Sequence, residues 1–337
     1  MTTNRAGIRT VHVGLGYMGA EVVRLAARRA NLEIVGAVDT DPQKIGRDLG
    51  EVADAGRPLD VTVVATIEEA LAKAQADIAV LTTASHLPQV YDQLRELVGR
   101  GLHVVSTCEE MAYPWLRHPE RAEELGNLAL ARGVSVLGTG VNPGFVMDSL
   151  PVMLTGVCQE VRAISVTRVL DTAKRRLPLQ QKTGAGLTVA EFEAKVQSGA
   201  ISHIGLAEST ALIARALDWA LDNIQEMIEP VEADRRLASD FIEVAPGRVA
   251  GLHQTARGTA GGTDVICLDL WMVMRAENPR DEVCIDGVPP MHMVIPGGTH
   301  GDRATVGMVV NSIPLVVTAR PGLLTVLDLP LAASIGS

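Results

Sequence analysis

Residues 11–26, VHVGLGYMGAEVVRLA, carry Gly14, Gly16 and Gly19 between an apolar β-branched run and a helical pattern. Each glycine answers a different need. Gly14 permits a tight turn out of the strand, Gly16 lets a pyrophosphate approach the backbone without a Cβ in the way, and Gly19 lets the helix pack closely on the strand. The first N–H groups of the helix are left free for phosphate, so Leu15, Tyr17 and Met18 count with the glycines as cofactor-binding positions. Asp39, twenty residues after Gly19, ends the next apolar run. A carboxylate there accepts the ribose hydroxyls of NAD(H) and repels a 2′-phosphate, while Lys44 and Arg47 soften that repulsion. NAD(H) is the first expectation, with NADP(H) tolerated.

Working outward, apolar runs over residues 11–14, 32–39, 61–66, 78–83, 104–107 and 134–139 read as strands. Helical patterns over 18–29, 67–74, 87–99 and 119–132 separate most of them. Strands alternating with helices form a doubly wound parallel sheet, so the first part reads as an α/β Rossmann domain over residues 1–145. After Asp148 the strand candidates lengthen and look antiparallel: 161–170, 241–244, 249–256, 264–276 and 281–287, with helices over 188–197 and 206–222. This reads as an α+β substrate and dimerisation domain over 146–300. An apolar helix over 302–318, which Pro314 should kink or end, belongs to a segment over 301–337 that returns to the first domain.

The chain has 337 residues, 47% of them hydrophobic and 21% charged, which suffices for two packed cores. Its net charge of −10 disfavours nucleic acid and anionic membranes as partners. No apolar run reaches the ~18 residues that span a bilayer, and residues 1–7 are polar rather than a signal-peptide core. Cys108, Cys158, Cys267 and Cys284 are widely spaced, which fits reduced thiols in the cytoplasm better than disulfides or structural zinc. His203, His253, His292 and His300 show neither HxH nor HExxH spacing, so no metal is expected. The chain carries no GxSxG and no Walker lysine motif, which removes support for acyl and phosphoryl transfer.

Ligands of open α/β sheets bind beyond the carboxyl ends of the strands. Thr82, Thr83 and Ser85 follow the fourth strand, where small hydroxyl side chains approach a cofactor or cap the helix that begins near Leu87. Glu109 and Glu110 follow the fifth. Desolvation or mutual repulsion would raise one carboxyl toward neutrality and suit it to acid–base work, and a solvated helix start is the plainer reading. Asn142, Pro143 and Gly144 follow the sixth strand, in a turn that either closes over the nicotinamide or simply links the domains.

Several longer stretches are more specific than the glycines: VDTDPQKIGRDLG (38–50), VVSTCEEMAYPW (104–115), GTGVNPGFVMD (138–148), RVLDTAKRRLPLQQKTGAGLT (168–188) and GDRATVGMVVNSIPLVVTARPGLLTVLDLP (301–330). Together with GLGYMG they resemble the 2,4-diaminopentanoate dehydrogenases and the related native amine dehydrogenases, whose first domain is like that of dihydrodipicolinate reductase. The resemblance implies a homodimer that interconverts a primary amine with its ketone or aldehyde plus ammonia, using NAD(P)H. It implies that a glutamate of the CEE stretch handles ammonia, with Glu109 ranked ahead of Glu110. It further implies an apolar pocket that includes Phe145, Met147 and Leu177, and a cofactor site completed by the tail helix and Asn311. A diaminopentanoate substrate would need a cation, for which Arg168, Lys174, Arg175, Arg176 and Lys182 are available. Two other readings stay open: another imine or carbonyl reductase on the same first domain, and an NAD-sensing regulatory protein without turnover.

Overall fold

The structure, a computed structural model, describes residues 7–334. Residues 1–6, most of the polar lead, and residues 335–337 lie outside the described part. The chain divides into two compact units, one of residues 1–145 and 300–337 and one of residues 146–299.

The first unit begins with β1 (Ile8–Val13), α1 (Tyr17–Ala26), β2 (Leu32–Val38), α2 (Leu49–Val52), β3 (Val63–Val64) and α3 (Ile67–Lys73). It continues with β4 (Ile78–Leu81), α4 (Leu87–Gly99), β5 (His103–Ser106), α5 (Pro119–Arg132) and β6 (Ser135–Gly138). The second unit holds α6 (Ser149–Thr155), β7 (Glu160–Asp171), α7 (Leu177–Lys182), α8 (Val189–Gln197), α9 (Leu206–Ala216) and β8 (Asn223–Glu232). After them come β9 (Leu237–Ala238), β10 (Glu243–Val244), β11 (Val249–Ala260), β12 (Thr263–Val273), β13 (Arg280–Val288) and β14 (Met291–Pro296). The chain then re-enters the first unit with α10 (Gly301–Thr318) and β15 (Gly322–Leu324).

All strands of the first sheet are parallel, in the order β15-β6-β5-β4-β1-β2-β3. The order reverses between β1 and β4, which opens the crevice where doubly wound sheets bind ligands. Leu87, Val90 and Leu94 of α4 and Ala122, Leu125 and Ala129 of α5 cover one face. Val22 of α1 and Val306, Val309, Val310 and Ile313 of α10 pack around Ile78, Val80, Val105 and Leu137. Such a strand, buried on both faces, reads as an apolar run, and for that reason β4 stands out in the sequence, whereas β1 also carries Arg9, Thr10 and His12. The seventh strand, β15, has three residues and no pattern of its own. Pro314 does not end α10; burial of Val316 holds the helix through to Thr318.

In the second unit the six-stranded sheet runs β14-β13-β7-β12-β11-β8 and is mixed, because β7 and β12 lie parallel where an antiparallel sheet was expected. Two strands were missed. Pro230 interrupts the strand pattern of β8, an edge position that tolerates proline, and β14 lies on the opposite edge. The strand expected over 241–244 shrinks to β10, paired only with β9. The second helix expected there ends at Ala216 rather than 222, where Asp218 turns left-handed at φ 53°.

Arg168 on β7 is 1% exposed, 3.4 Å from Asp281 of β13, which is equally buried. Its guanidinium donates to the Thr299 carbonyl at 2.7 Å, and the Asp281 carboxylate accepts the Thr299 N–H at 2.6 Å. The pair therefore fixes the last residue of the second unit. Asp281→Ala should cost about 3–5 kcal/mol by stranding a buried cation, read as a fall in the urea midpoint. The double variant Arg168→Met/Asp281→Leu should recover most of that loss.

His12 on β1 is fully buried beside the Thr10 hydroxyl at 3.1 Å, and burial pushes its pKa down to about 4. In the unfolded chain it titrates near 6.5, so the unfolded state binds the extra proton first as pH falls. Stability should be full above pH ~6.5 and drop by up to about 3 kcal/mol toward pH ~4. Melting curves of His12→Gln across that range should lose this part of the slope.

Candidate active site

β1 ends at Val13, and Gly14 turns away at φ +89° with its N–H on the Val38 carbonyl at 2.9 Å. A Cβ on Gly14 would meet the Thr83 methyl at 2.7 Å, and one on Gly19 would sit 2.0 Å from the Gly14 oxygen. Gly16, by contrast, faces open space and caps α1 without any side-chain acceptor for the first N–H groups. A helix N-terminus beside an open approach suits a pyrophosphate. The Leu15 side chain is buried in the core and its N–H is taken by Asp39 rather than left for phosphate; Met18 is half-buried, and Tyr17 is 47% exposed.

Asp39 follows β2 and accepts the Leu15 N–H at 2.7 Å, the Asp41 N–H at 2.9 Å and Lys44 Nζ at 3.0 Å. Burial raises its pKa, but these three donors outweigh it and hold the carboxyl below the usual aspartate range. It is a fixed anion at neutral pH. Thr82 donates to the Gly14 carbonyl at 2.6 Å and so braces the glycine turn, while Thr83 donates to Gln93 in the middle of α4 at 2.7 Å. The Ser85 carbonyl accepts the Glu110 N–H at 3.3 Å and the Cys108 thiol at 3.1 Å.

The two glutamates diverge on a 3-10 turn, Glu109–Ala112, that follows β5. Glu110 is 5% exposed. Its oxygens accept the Leu87 N–H at 2.7 Å, His86 Nδ1–H at 2.8 Å and His118 Nε2–H at 2.9 Å. Desolvation pushes its pKa up, yet His86, the Leu87 amide and His118 together pull it below the ordinary glutamate value. The sequence-level expectation of a carboxyl raised toward neutrality therefore does not apply to Glu110. His86 leads α4 without a side-chain cap, and Glu110 supplies the missing acceptor from another element. Burial and the charge on Glu109 also push the Cys108 thiol up, which leaves it protonated.

Glu109 points elsewhere. It is half-buried, and among the described residues no hydrogen bond or ion pair engages its carboxylate. It borders a small cavity of about 40 Å³ with Thr107, Thr139, Asn142 and Thr305. The Thr139 hydroxyl and both amide atoms of Asn142 are buried without hydrogen-bond partners, so three polar atoms beside Glu109 await a ligand's donors and acceptors. The loop around them is tight: a Cβ on Gly144 would meet the Gly140 nitrogen at 2.4 Å, and the Thr305 hydroxyl accepts the Val141 N–H at 3.2 Å.

Asn311 accepts from Arg29 at 3.3 Å, past the C-terminal end of α1, whereas the glycine turn is at its N-terminal end. Phe145 closes the first unit; Met147 and Leu177 belong to the second, Met147 fully buried and Leu177 half-buried. Arg168 is consumed by Asp281 and Thr299, while Lys174 and Lys182 are exposed. His86 and His118, both missed from the sequence, lie 24 and 8 residues from the carboxylate they bind. One signal was available, since a helix starting after His86 lacks the Ser, Thr, Asp or Asn that normally caps it. A separate group, Glu282, Cys284 and His292, meets across β13 and β14 with ligand atoms within 4.8 Å. There Arg280 and His292 each hold one Glu282 oxygen, at 2.7 and 2.8 Å.

A sheet of this order, with a glycine turn at its switch point and a carboxylate closing β2, defines a Rossmann-type dehydrogenase domain. Residues 8–108 match the N-terminal domain of dihydrodipicolinate reductase, and residues 145–337 match the 2,4-diaminopentanoate dehydrogenase C-terminal domain. The chain is 34% identical to 2,4-diaminopentanoate dehydrogenase of Acetoanaerobium sticklandii over 97% of its length and 95% of that protein's. It is 25% identical to an amine dehydrogenase of Streptomyces virginiae over 98% of both chains. A solved amine dehydrogenase from Mycobacterium smegmatis superposes with a TM-score of 0.86 at 28% identity, covering 98% of each chain. The chain belongs to the 2,4-diaminopentanoate dehydrogenase family and is an oxidoreductase of the amine dehydrogenase type. No helix among the described residues is long and apolar enough to cross a membrane.

The two glycines separate fold from binding. Gly19→Ala forces α1 off the turn and should abolish dinucleotide binding, measured by NADH fluorescence titration. Gly16→Ala should leave stability within about 0.5 kcal/mol and still weaken NADH binding, because its Cβ enters only the open approach.

Proposed function

We propose that this chain catalyses reversible reductive amination of a small ketone or aldehyde with ammonia, with Glu109 as the acid–base group. One observation carries this reading: in a chain of this family, a half-buried carboxylate with no hydrogen bond or ion pair among the described residues borders a cavity where the Thr139 hydroxyl and the Asn142 amide are buried without partners too. The Gly14–Gly19 turn, the N-terminus of α1 and Asp39 would hold a nicotinamide dinucleotide, with Thr82 bracing the turn. That group, when bound, supplies or accepts the hydride. Glu109 accepts a proton from the nitrogen that adds to the carbonyl and returns it to the hydroxyl that leaves as water, forming the imine. Asn142 and Thr139 orient the polar groups of the reacting pair.

Cofactor choice turns on Asp39. Its anionic state favours ribose hydroxyls over a 2′-phosphate, and Lys44, already 3.0 Å away, lowers the penalty for NADP(H). NAD(H) is preferred and NADP(H) accepted. Arg168 is not the residue that binds a substrate carboxylate, since its charge is spent inside the second unit. Small, singly functional carbonyls therefore fit this reading better than a diaminopentanoate gripped by that arginine.

NADH absorbance should fall when a small ketone or aldehyde is added in concentrated ammonium buffer, and should stay flat without ammonia. Glu109→Gln should lower kcat by about 10²–10⁴-fold with NADH affinity nearly unchanged. Carbonyl reduction independent of ammonia would instead mark a carbonyl reductase, and NADH binding without turnover a sensor.

A further inference from the structure

Glu109 rides on a turn of four residues, too short to hold its own direction. At three residues per turn, neighbouring side chains diverge by roughly 120°. Whatever fixes Glu110 therefore fixes the heading of Glu109. Glu110 is held from two sides: the Leu87 N–H and His86 belong to the start of α4, and His118 precedes α5. Its backbone N–H is fastened to Ser85, and the same turn lies so close on β6 that a Cβ on Gly138 would meet the Met111 backbone at 2.5 Å.

We infer that Glu110 is the positioning residue of this site: by accepting three N–H groups from the start of α4 and from His118, it turns Glu109 into the cavity. This rests on the reading of Glu109 as the acid–base group. Glu110 carries no proton in the reaction, and its charge is balanced where it stands by the imidazoles and the helix amide. The carboxylate does for a catalytic neighbour what outer-shell carboxylates do for metal ligands, holding orientation rather than reacting.

The test compares Glu110→Ala, Glu110→Gln and His118→Leu with Glu109→Gln, using NADH, ammonia and a small ketone. Glu110→Ala should lower kcat by about 10²-fold, the scale of a misplacement near 1 Å, with the dissociation constant for NADH unchanged. Glu110→Gln keeps an oxygen for the Leu87 N–H and should recover kcat to within about fivefold of the parent, with the same pH dependence of kcat. His118→Leu removes one donor at a half-exposed position and should lower kcat several-fold; it stands in if the alanine variant does not fold. If Glu110→Gln is as inactive as Glu109→Gln, or removes a limb of the pH profile, Glu110 itself moves the proton and the inference is overturned. Full kcat in folded Glu110→Ala, or in His118→Leu when the alanine variant does not fold, overturns it as well. Full activity in Glu109→Gln would sink the acid–base reading instead, so the two failures are distinguishable.

Discussion

The contact on which the first unit depends is the passage of Gly19 over the Gly14 carbonyl, so close that a methyl group would leave only 2.0 Å. It brings the start of α1 against the end of β1 at the point where strand order reverses. Thr82, from the far side of the reversal, closes the same turn by donating to the Gly14 oxygen at 2.6 Å. Once these ends are registered, the parallel pairing of β4, β5 and β6 delivers Glu109 and Asn142 to the same edge of the sheet. The Glu109 turn and the glycine turn are thus tied by backbone geometry.

The sequence spoke clearly where one physical period dominated. Strands buried on both faces showed as apolar runs, and the glycine turn showed because each glycine has a steric reason to be there. It spoke poorly where structure depends on a distant partner. β15 exists because β6 offers it a ladder, with Gly322 opposite Ser135, and no local pattern announces three residues. Pro230 hid β8, which tolerates proline only because it lies at an edge.

The same division runs through the site. The pair Glu109 and Glu110 could be found from its place after β5, but not told apart, because identical side chains acquire opposite roles from what surrounds them. Glu110 meets three donors and becomes a fixed anion; among the described residues Glu109 meets none. Likewise Arg168, one of five cations available to a substrate carboxylate on the sequence, is paired inside the second unit, since only pairing with Asp281 makes its burial tolerable. A charged residue in a distinctive stretch is therefore a weak guide to a ligand until its neighbours are known.

The first unit is assembled from two separate parts of the chain, and this bears on how the molecule comes into being. Residues 146–299 form a continuous unit and can close on themselves as soon as they leave the ribosome. The earlier residues cannot, because the face made by Ile78, Val80, Val105 and Leu137 stays open until α10 has been synthesised, and the edge of β6 stays unpaired until β15 arrives. During that interval the nascent chain carries an apolar surface and a bare strand edge, the features that chaperones bind and that drive aggregation. The Rossmann half is thus begun first and finished last.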